Sequence, residues 1–397
     1  MSVIITFARD RRALAAARSL GEKGIDVISS DSIYPAMTFF SRYSKRYFIY
    51  PSYRLNSTGF IISLERQVIK NKPDVLMPMD EETFLISYFK DRFTKNTNVP
   101  IYDYEYLMKA NDKEYLLKFA ENLGIRIPQT YAPKTLTEIQ KISKKVEYPA
   151  VVKLKKGLGS KGLTYVYNED ELIKKYKEVI KEFTLNNADY PLIQEYIPGV
   201  GYGVEMLFNH GELRAKFTHK RIREFPINGG PSTARISVRH QRMEKDAEKL
   251  LKELDWHGVA MVEFKLDQRN NKPVLMEINP RFWGSLNQAI CSGVDFPYLL
   301  YQMAVEGDVK PVFNYKTGVR TRWFLGDARA MVDYLLKSNN RYEMLKDFLN
   351  VAGRDIYYDD ISIKDPVPFF IELIIPITQL LKTGKLTFIP MEERYHV

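Results

Sequence analysis

Residues 259–281 read VAMVEFKLDQRNNKPVLMEINPR. Two apolar runs flank the polar stretch Gln268–Lys272, which predicts a β-hairpin with a five-residue turn. A turn centred on Asn270 sets Glu263 against Glu277 and Met261 against Asn279. Strand side chains alternate between faces, so Glu263, Glu277 and Asn279 share one. Facing residues sit roughly 4.5–5.5 Å apart and like charges there are destabilising, so something positive belongs between them. Two carboxylates and an amide oxygen are an all-oxygen set suited to Mg²⁺ bridging phosphates. The plain alternative is two solvated glutamates on an exposed face; the neighbours Val259, Val262, Phe264, Leu275 and Met276 argue for a largely buried hairpin. Arg281 can place a guanidinium beside the same phosphates.

The first hundred residues alternate strand and helix. Val3–Phe7 is apolar, Arg11–Leu20 has helical spacing, Asp26–Ser29 and Phe48–Tyr50 read as strands, Gly59–Lys70 as a helix, and Asp74–Met79 as a strand before a helix from Glu81. This order predicts a parallel sheet. The first strand–helix turn, Ala8-Arg9-Asp10-Arg11, lacks the G-x-G-x-x-G of a dinucleotide site. Glu81 and Glu82 open their helix where the dipole favours acids, and can also face a cleft. A helix capped by Asn111 or Asp112 runs to Asn122, with Gly124 as its stop. Strands follow at Pro149–Leu154, Leu192–Tyr196, Val204–Phe208 and Leu213–Phe217, with a helix over Glu244–Leu254. After about Gly307 the pattern changes and reads as a separate tail.

Composition narrows the chemistry. The chain carries 59 Lys+Arg against 49 Asp+Glu, a net +10, which suits anionic partners. The single cysteine, Cys291, excludes an internal disulfide and reads as a small buried apolar residue. The five histidines show no helical zinc spacing. The N-terminal charges follow the apolar run, the reverse of an export signal, and no stretch is long enough for a spanning helix, so a cytoplasmic protein is expected.

Three more segments carry chemistry. Lys153 ends a valine strand ahead of Gly157-Leu158-Gly159-Ser160-Lys161-Gly162, a loop that can hold a polyphosphate through backbone N–H groups or be a basic surface turn. Its order is neither a Walker A loop nor a kinase loop. Leu192–Gly199 reads LIQEYIPG, a strand broken by Pro-Gly whose backbone can pair with an adenine edge or simply end a strand. Thr218–Thr233 packs Lys220, Arg221 and Arg223 near Gly-Gly-Pro-Ser, and reads as a substrate-facing loop or a solvated basic one, with His219 at its surface or serving as a general base.

The order of these segments resembles the ATP-grasp superfamily, in its carbamoyl-phosphate-synthase-like and carboxylate–amine ligase branches, over roughly residues 1–307. The resemblance implies an α/β and α+β chain: a Rossmann-like domain (1–108), a central lid domain (109–198), a C-terminal grasp domain with the metal hairpin (199–309) and an extension (310–397). It implies ATP and Mg²⁺, or Mn²⁺ in its place, as cofactors. Lys113, Lys153, Gly157, Gly159, Ser160, Lys161, Gly162, Glu195, Tyr196 and Ile197 would bind ATP. Tyr202 stands where relatives carry an acid for the ribose, which leaves the ribose contact open. Glu263, Glu277 and Asn279 would hold the metal; Arg281, Lys220 and Arg221 would serve the transferred phosphoryl group. The implied reaction joins a small-molecule carboxylate, activated as an acyl phosphate, to an amine. The rival classes are an inactive nucleotide-binding module and a basic nucleic-acid-binding protein, the latter without a readable motif.

Residues 366–381 read PVPFFIELIIPITQLL with one charge, Glu372. Two readings stay open: packing on the grasp domain or across a homo-oligomer interface, or an interfacial helix on an anionic membrane surface.

Overall fold

The computed structural model describes residues 1–156, 162–227, 229–337, 341–349, 353 and 355–383. The N-terminal alternation is present as β1 (Ser2–Ile5), α1 (Arg11–Glu22), β2 (Asp26–Asp31), β3 (Ser44–Ile49), α2 (Ser57–Asn71), β4 (Val75–Met77) and α3 (Glu82–Tyr88). Its strands pair in parallel in the order β3-β2-β1-β4. Val3, Ile4 and Ile5 are all fully buried, as expected of a strand covered on both faces. β3 begins at Ser44 rather than Phe48. It is an edge strand with exposed Lys45 and Arg46, which hide it from a search for apolar runs. The β1–α1 turn is closed by side chains instead of glycines: Asp10 caps α1 through the Arg12 N–H, and Asp31 accepts from the Arg9 N–H at 2.7 Å.

The middle of the chain forms α4 (Lys90–Phe93), α5 (Tyr104–Asn111), α6 (Lys113–Asn122), β5 (Thr130–Tyr131), α7 (Leu136–Ser143), β6 (Ala150–Lys153), β7 (Thr164–Val166), α8 (Glu169–Glu182) and β8 (Leu192–Glu195). Its antiparallel sheet has the order β5-β8-β6-β7. Asp112 caps α6 by accepting from the N–H groups of Glu114 and Tyr115. Gly157–Lys161 of the expected phosphate loop lie outside the described residues; Gly162 follows with a left-handed φ of 69°.

The third sheet contains β9 (Gly199–Asn209), β10 (Glu212–Glu224), β11 (Ser232–Ser237), β12 (Gly258–Asp267), β13 (Lys272–Asn279), β14 (Arg320–Arg322) and β15 (Ile356–Tyr358), in the order β13-β12-β9-β10-β11-β14-β15. The helices are α9 (Gln241–Glu253), α10 (Leu286–Cys291), α11 (Phe296–Glu306), α12 (Phe324–Lys337), α13 (Arg341–Leu349) and α14 (Val367–Thr383). Alternation along β9 feeds two cores. Leu207 joins Phe217 and Trp283 beneath α1, whereas Val204, Met206 and Phe208 pack beneath α6 and α9.

Three expectations are corrected. β10 runs on to Glu224 and β11 begins at Ser232, so Thr218–Glu224 and Ser232–Thr233 are strand rather than loop. His219 is 1% exposed, not a surface histidine, because it sits on the covered face of that strand. Residues beyond 309 are not a separate tail: β14 pairs with β11, and β15 with β14.

Candidate functional site

The hairpin pairs Met261 with Asn279 and Glu263 with Glu277, but the turn has four residues, since Asp267 faces Lys272. Near the turn the register is therefore one residue off. An irregularity at Met276, beside the Phe264–Leu275 pair, restores it before the glutamates. Asp267 fixes the turn by accepting from the N–H and Nε of Arg269 and from Asn270 Nδ2.

The glutamate pair opens onto a cavity of about 630 Å³. Glu263 Oε2 accepts from Arg221 Nη2 at 2.6 Å, and its Oε1 from Asn279 Nδ2 at 3.0 Å. Lys113 Nζ lies 3.4 Å from Glu277 Oε2. Burial raises the Glu263 carboxyl; Arg221 opposes this and the Glu277 charge adds to it. Burial also works on Glu277, but Lys113 and then Lys153 outweigh it and hold that carboxyl below its ordinary range. Arg221 is kept firmly protonated: burial works against its charge, and Glu263 and Glu224 prevail. The buried Nε of Arg221 has no protein partner among the described residues. Arg281 Nε stands 3.4 Å from Asp80 Oδ1 on the same cavity.

Glu263, Glu277 and Asn279 fit a hard cation by the chemistry of their donors: two carboxylates, compensated here by Arg221 and Lys113, and an amide oxygen. Among the described residues no three His, Cys, Asp or Glu groups converge as a metal cluster. A cation here would therefore complete its shell with ligand or water oxygens, as Mg²⁺ does.

Beside the pair, Lys153 Nζ reaches toward the Met276 carbonyl at 3.5 Å. Burial, and then the charge of Lys113, bring its ammonium down to about 8. Glu195, Tyr196 and Ile197 line the cavity beside it. Lys265 Nζ donates to the Ile197 carbonyl at 3.2 Å, and Arg269 pairs with Glu195. Tyr202 is not among the lining residues: its ring turns to the α9 side and meets His240 edge-on. Lys220 pairs with Tyr202 across β9 and β10 and likewise does not line the cavity.

Sequence reading singled out His219 but missed its burial and its pairing with Glu205. His219 Nδ1 lies 2.6 Å from Glu205 Oε1, and His219 lines the cavity next to Arg221. Gly203 and Gly201 make the room. A Cβ at Gly203 would come within 2.5 Å of His219 Cε1, and one at Gly201 within 2.9 Å of Arg221 Cδ. The alternation G-Y-G in β9, opposite H-K-R in β10, was the available signal.

A third wall comes from both ends of the chain. From the N-terminal unit, Arg12 Nη1 donates to Asp80 Oδ1 at 2.6 Å, and Arg54 pairs with Glu81. Burial and the Asp80 charge raise Glu81 to about 7. Glu82 turns inward to the N–H groups of Met79 and Asp80 and does not line the cavity. From α14, Ile375 and Pro376 face the cavity, and Glu372 accepts from Trp323 Nε1 at 2.8 Å. Asp365 fastens the start of α14 to the N-terminal unit by accepting from Arg18 Nε, Ser41 Oγ and the Arg42 N–H. Cys291 lines none of this; burial pushes its thiol up to about 12.

Two family models match. Residues 112–201 match the ATP-binding domain of the carbamoyl-phosphate synthase L chain, and residues 187–326 match the ATP-grasp of a biosynthetic pathway with the Ter operon. The carbamoyl phosphate synthase large chain of Pyrococcus furiosus is 29% identical over 210 residues, 51% of this chain and 19% of that enzyme. The chain thus spans about a fifth of that relative's length. Among solved structures, biotin carboxylase from Campylobacter jejuni, bound to a β,γ-ATP compound, superposes with a TM-score of 0.65 at 18% identity, covering 80% of this chain and 74% of that one. The N5-carboxyaminoimidazole synthetase of Staphylococcus aureus with ADP gives 0.62 at 17% identity and 80% of each chain. Overlapping matches to two ATP-grasp models, together spanning residues 112–326 and placed on the strands that build the cavity, agree with the shared fold. The chain belongs to the ATP-grasp superfamily and is carbamoyl-phosphate-synthase-like.

Proposed function

We propose that this chain is an ATP-dependent ligase that activates a carboxylate as an acyl phosphate and passes it to an amine. The observation that carries the reading is the convergence of Lys113, Lys153, Arg221 and Arg281 around Glu263, Glu277 and Asn279 in one cavity. Such a set neutralises a triphosphate and the charge developing on a transferred phosphoryl group. Lys153, Glu195, Tyr196 and the Ile197 backbone take the adenine end. Glu263, Glu277 and Asn279 would hold Mg²⁺, or Mn²⁺, which when bound would supply positive charge to the phosphates. Arg221 and Arg281 orient the γ-phosphoryl group, and the Glu205–His219 dyad holds its ring beside Arg221.

In the reaction a carboxylate oxygen attacks the γ-phosphorus and the bond to the β,γ-bridging oxygen breaks, releasing ADP. The amine then attacks the acyl carbon; the carbon–oxygen bond breaks, phosphate leaves, and the amine loses a proton. The division into 1–108, 109–198, 199–309 and 310–397 is kept as a working proposal, although β14 and β15 pair into the third sheet from beyond residue 309. A screen of amino acids and small carboxylates for stimulated ADP release tests the reading; no stimulation by any carboxylate–amine pair would sink it.

A second reading concerns α14. No helix among the described residues is long and apolar enough to cross a membrane. The outer stripe of α14 is open, with Phe370 57% and Ile377 54% exposed, and Arg42 donates to the Lys364 carbonyl just before the helix. This supports docking on an anionic bilayer surface. Full-length protein should float with anionic vesicles at low salt; sedimentation as a dimer with no flotation would instead make the stripe a subunit interface.

A further inference from the structure

The matched family segments cover residues 112–326 and contain the nucleotide end of the cavity. The far end is built mostly outside them, by the N-terminal unit and α14, so it is where this chain selects its own substrate. Six side chains give that end its surface: Phe7, Ile33, Met37, Trp323, Leu325 and Ile375. Phe7, Met37 and Ile375 are buried, and the others half-buried. They come from the β1–α1 turn, the segment after β2, the start of α12 and α14, so four separate stretches of chain present apolar groups to one space.

The charged groups bordering this space already face one another. Arg9 pairs with Asp31, Arg12 with Asp10 and Asp80, and Arg54 with Glu81. Arg11 lies over the Trp323 ring, 4.2 Å from its centroid, and 3.5 Å from Asp359 Oδ2. A second anion on a substrate would meet Asp80 and Glu81, and a cation would meet Arg12 and Arg54. Glu372 is held by Trp323 Nε1, and Arg329, which lines the same wall, lies within reach of its charge, so the cation and the acid of this wall also face each other.

From this we infer that the activated carboxylate is a monocarboxylate with an uncharged, apolar body, its carboxylate toward Arg221 and Arg281 and its body against the wall made by Met37, Leu325 and Ile375. The inference rests on the ligase reading and names its substrate class. Burying one methylene contributes about 0.8 kcal/mol, or roughly fourfold in affinity.

Two measurements separate this inference from that reading. Calorimetry with ADP and Mg²⁺ present measures binding without chemistry for the straight-chain monocarboxylates from acetate to octanoate, and for succinate and adipate. The expected result is tightening of up to about fourfold per added methylene until the space is filled, with both dicarboxylates weaker than monocarboxylates of equal length. Ile375→Asn and, as a second variant against misfolding, Leu325→Asn should flatten the series, with thermal unfolding showing that each is folded. Affinity independent of chain length, equal binding of dicarboxylates, or a length dependence confined to the amine would overturn the inference. ADP release is then measured on the same series. A length-dependent affinity without ADP release leaves the apolar pocket standing and removes the ligase reading. ADP release by polar carboxylates without length dependence does the opposite.

Discussion

Glu277→Gln removes one charge and almost no volume from the centre of the site. Lys113 Nζ is 3.4 Å from the lost charge, and the two side chains are 8% and 23% exposed. At an effective dielectric of about 20 the gross attraction is about 5 kcal/mol. Desolvation cancels most of it, and glutamine keeps an oxygen for the lysine. Against the loss, Glu263 is relieved of a like charge directly across the hairpin. Stability should therefore fall by only about 1 kcal/mol, within the range for a weakened buried polar contact. Function should respond far more. Removing one preorganised electrostatic partner of a transition state costs about 10²–10³ in kcat. ADP release by a coupled assay at millimolar Mg²⁺ reads the turnover, and calorimetry reads ATP binding with and without Mg²⁺. The variant should be folded, nearly inactive, and should bind Mg²⁺-free ATP at least as well as wild type, because a negative charge near the phosphates is gone. Mg²⁺ should improve its ATP affinity less than it does for wild type. Near wild-type ADP formation, or an unchanged Mg²⁺ effect on binding, would refute the reasoning.

Lys153 is held at about 8 by burial and by Lys113. Its neutral form therefore gains ground above pH 8, and ATP affinity should weaken about tenfold between pH 7 and pH 9 if only the ammonium binds. Lys153→Arg should erase that slope. The folded pKa lies below the unfolded one, so the unfolded state binds more protons and free-protein stability should rise between pH 8 and about 10.4; a fall across that window in wild type but not in Lys153→Arg would count against the assignment. Gly203→Ala puts a methyl group within 2.5 Å of His219 Cε1. Displacing the ring should cost about 1–3 kcal/mol and reduce turnover more than it reduces ATP affinity; unchanged turnover would show that the dyad's position does not matter. Asp365→Ala strips a buried acceptor from Arg18, Ser41 and the Arg42 N–H. It should destabilise by about 1–3 kcal/mol and speed hydrogen exchange in α14 ahead of the remaining helices; protection equal to wild type in α14 would contradict its role as the fastening point.

The glutamate pair was legible because two rules act together there: period-two alternation and a polar turn between apolar runs. The turn itself was assigned one residue too many, and the irregularity at Met276 hid the error from the functional face. β10 was harder to read. Its far half carries His219, Lys220, Arg221 and Arg223, and cations in sequence suggest a solvated loop. In the structure Arg223 pairs with Asp327, and Arg221 with Glu263, so charges that look exposed are neutralised by residues 104 and 42 positions away. Such distant partners leave no local trace. The same holds for β14 and β15: each is three residues long, too short for periodicity, and placed only by pairing with the edge of a sheet built much earlier in the chain. α14 was visible as an apolar run. Its inner face became meaningful only once Asp365 was seen to tie it across the N-terminal unit.

The central claim is that a carboxylate oxygen attacks the γ-phosphorus of ATP. Turnover with a carboxylate labelled with ¹⁸O in both oxygens tests it directly, with mass spectrometry of the products. The account predicts one ¹⁸O in each inorganic phosphate released, one retained in the amide, and unlabelled ADP. Label appearing in AMP, with pyrophosphate as the other product, would mean attack at the α-phosphorus. Phosphate labelled only from solvent water would mean simple hydrolysis, and either result would contradict the account.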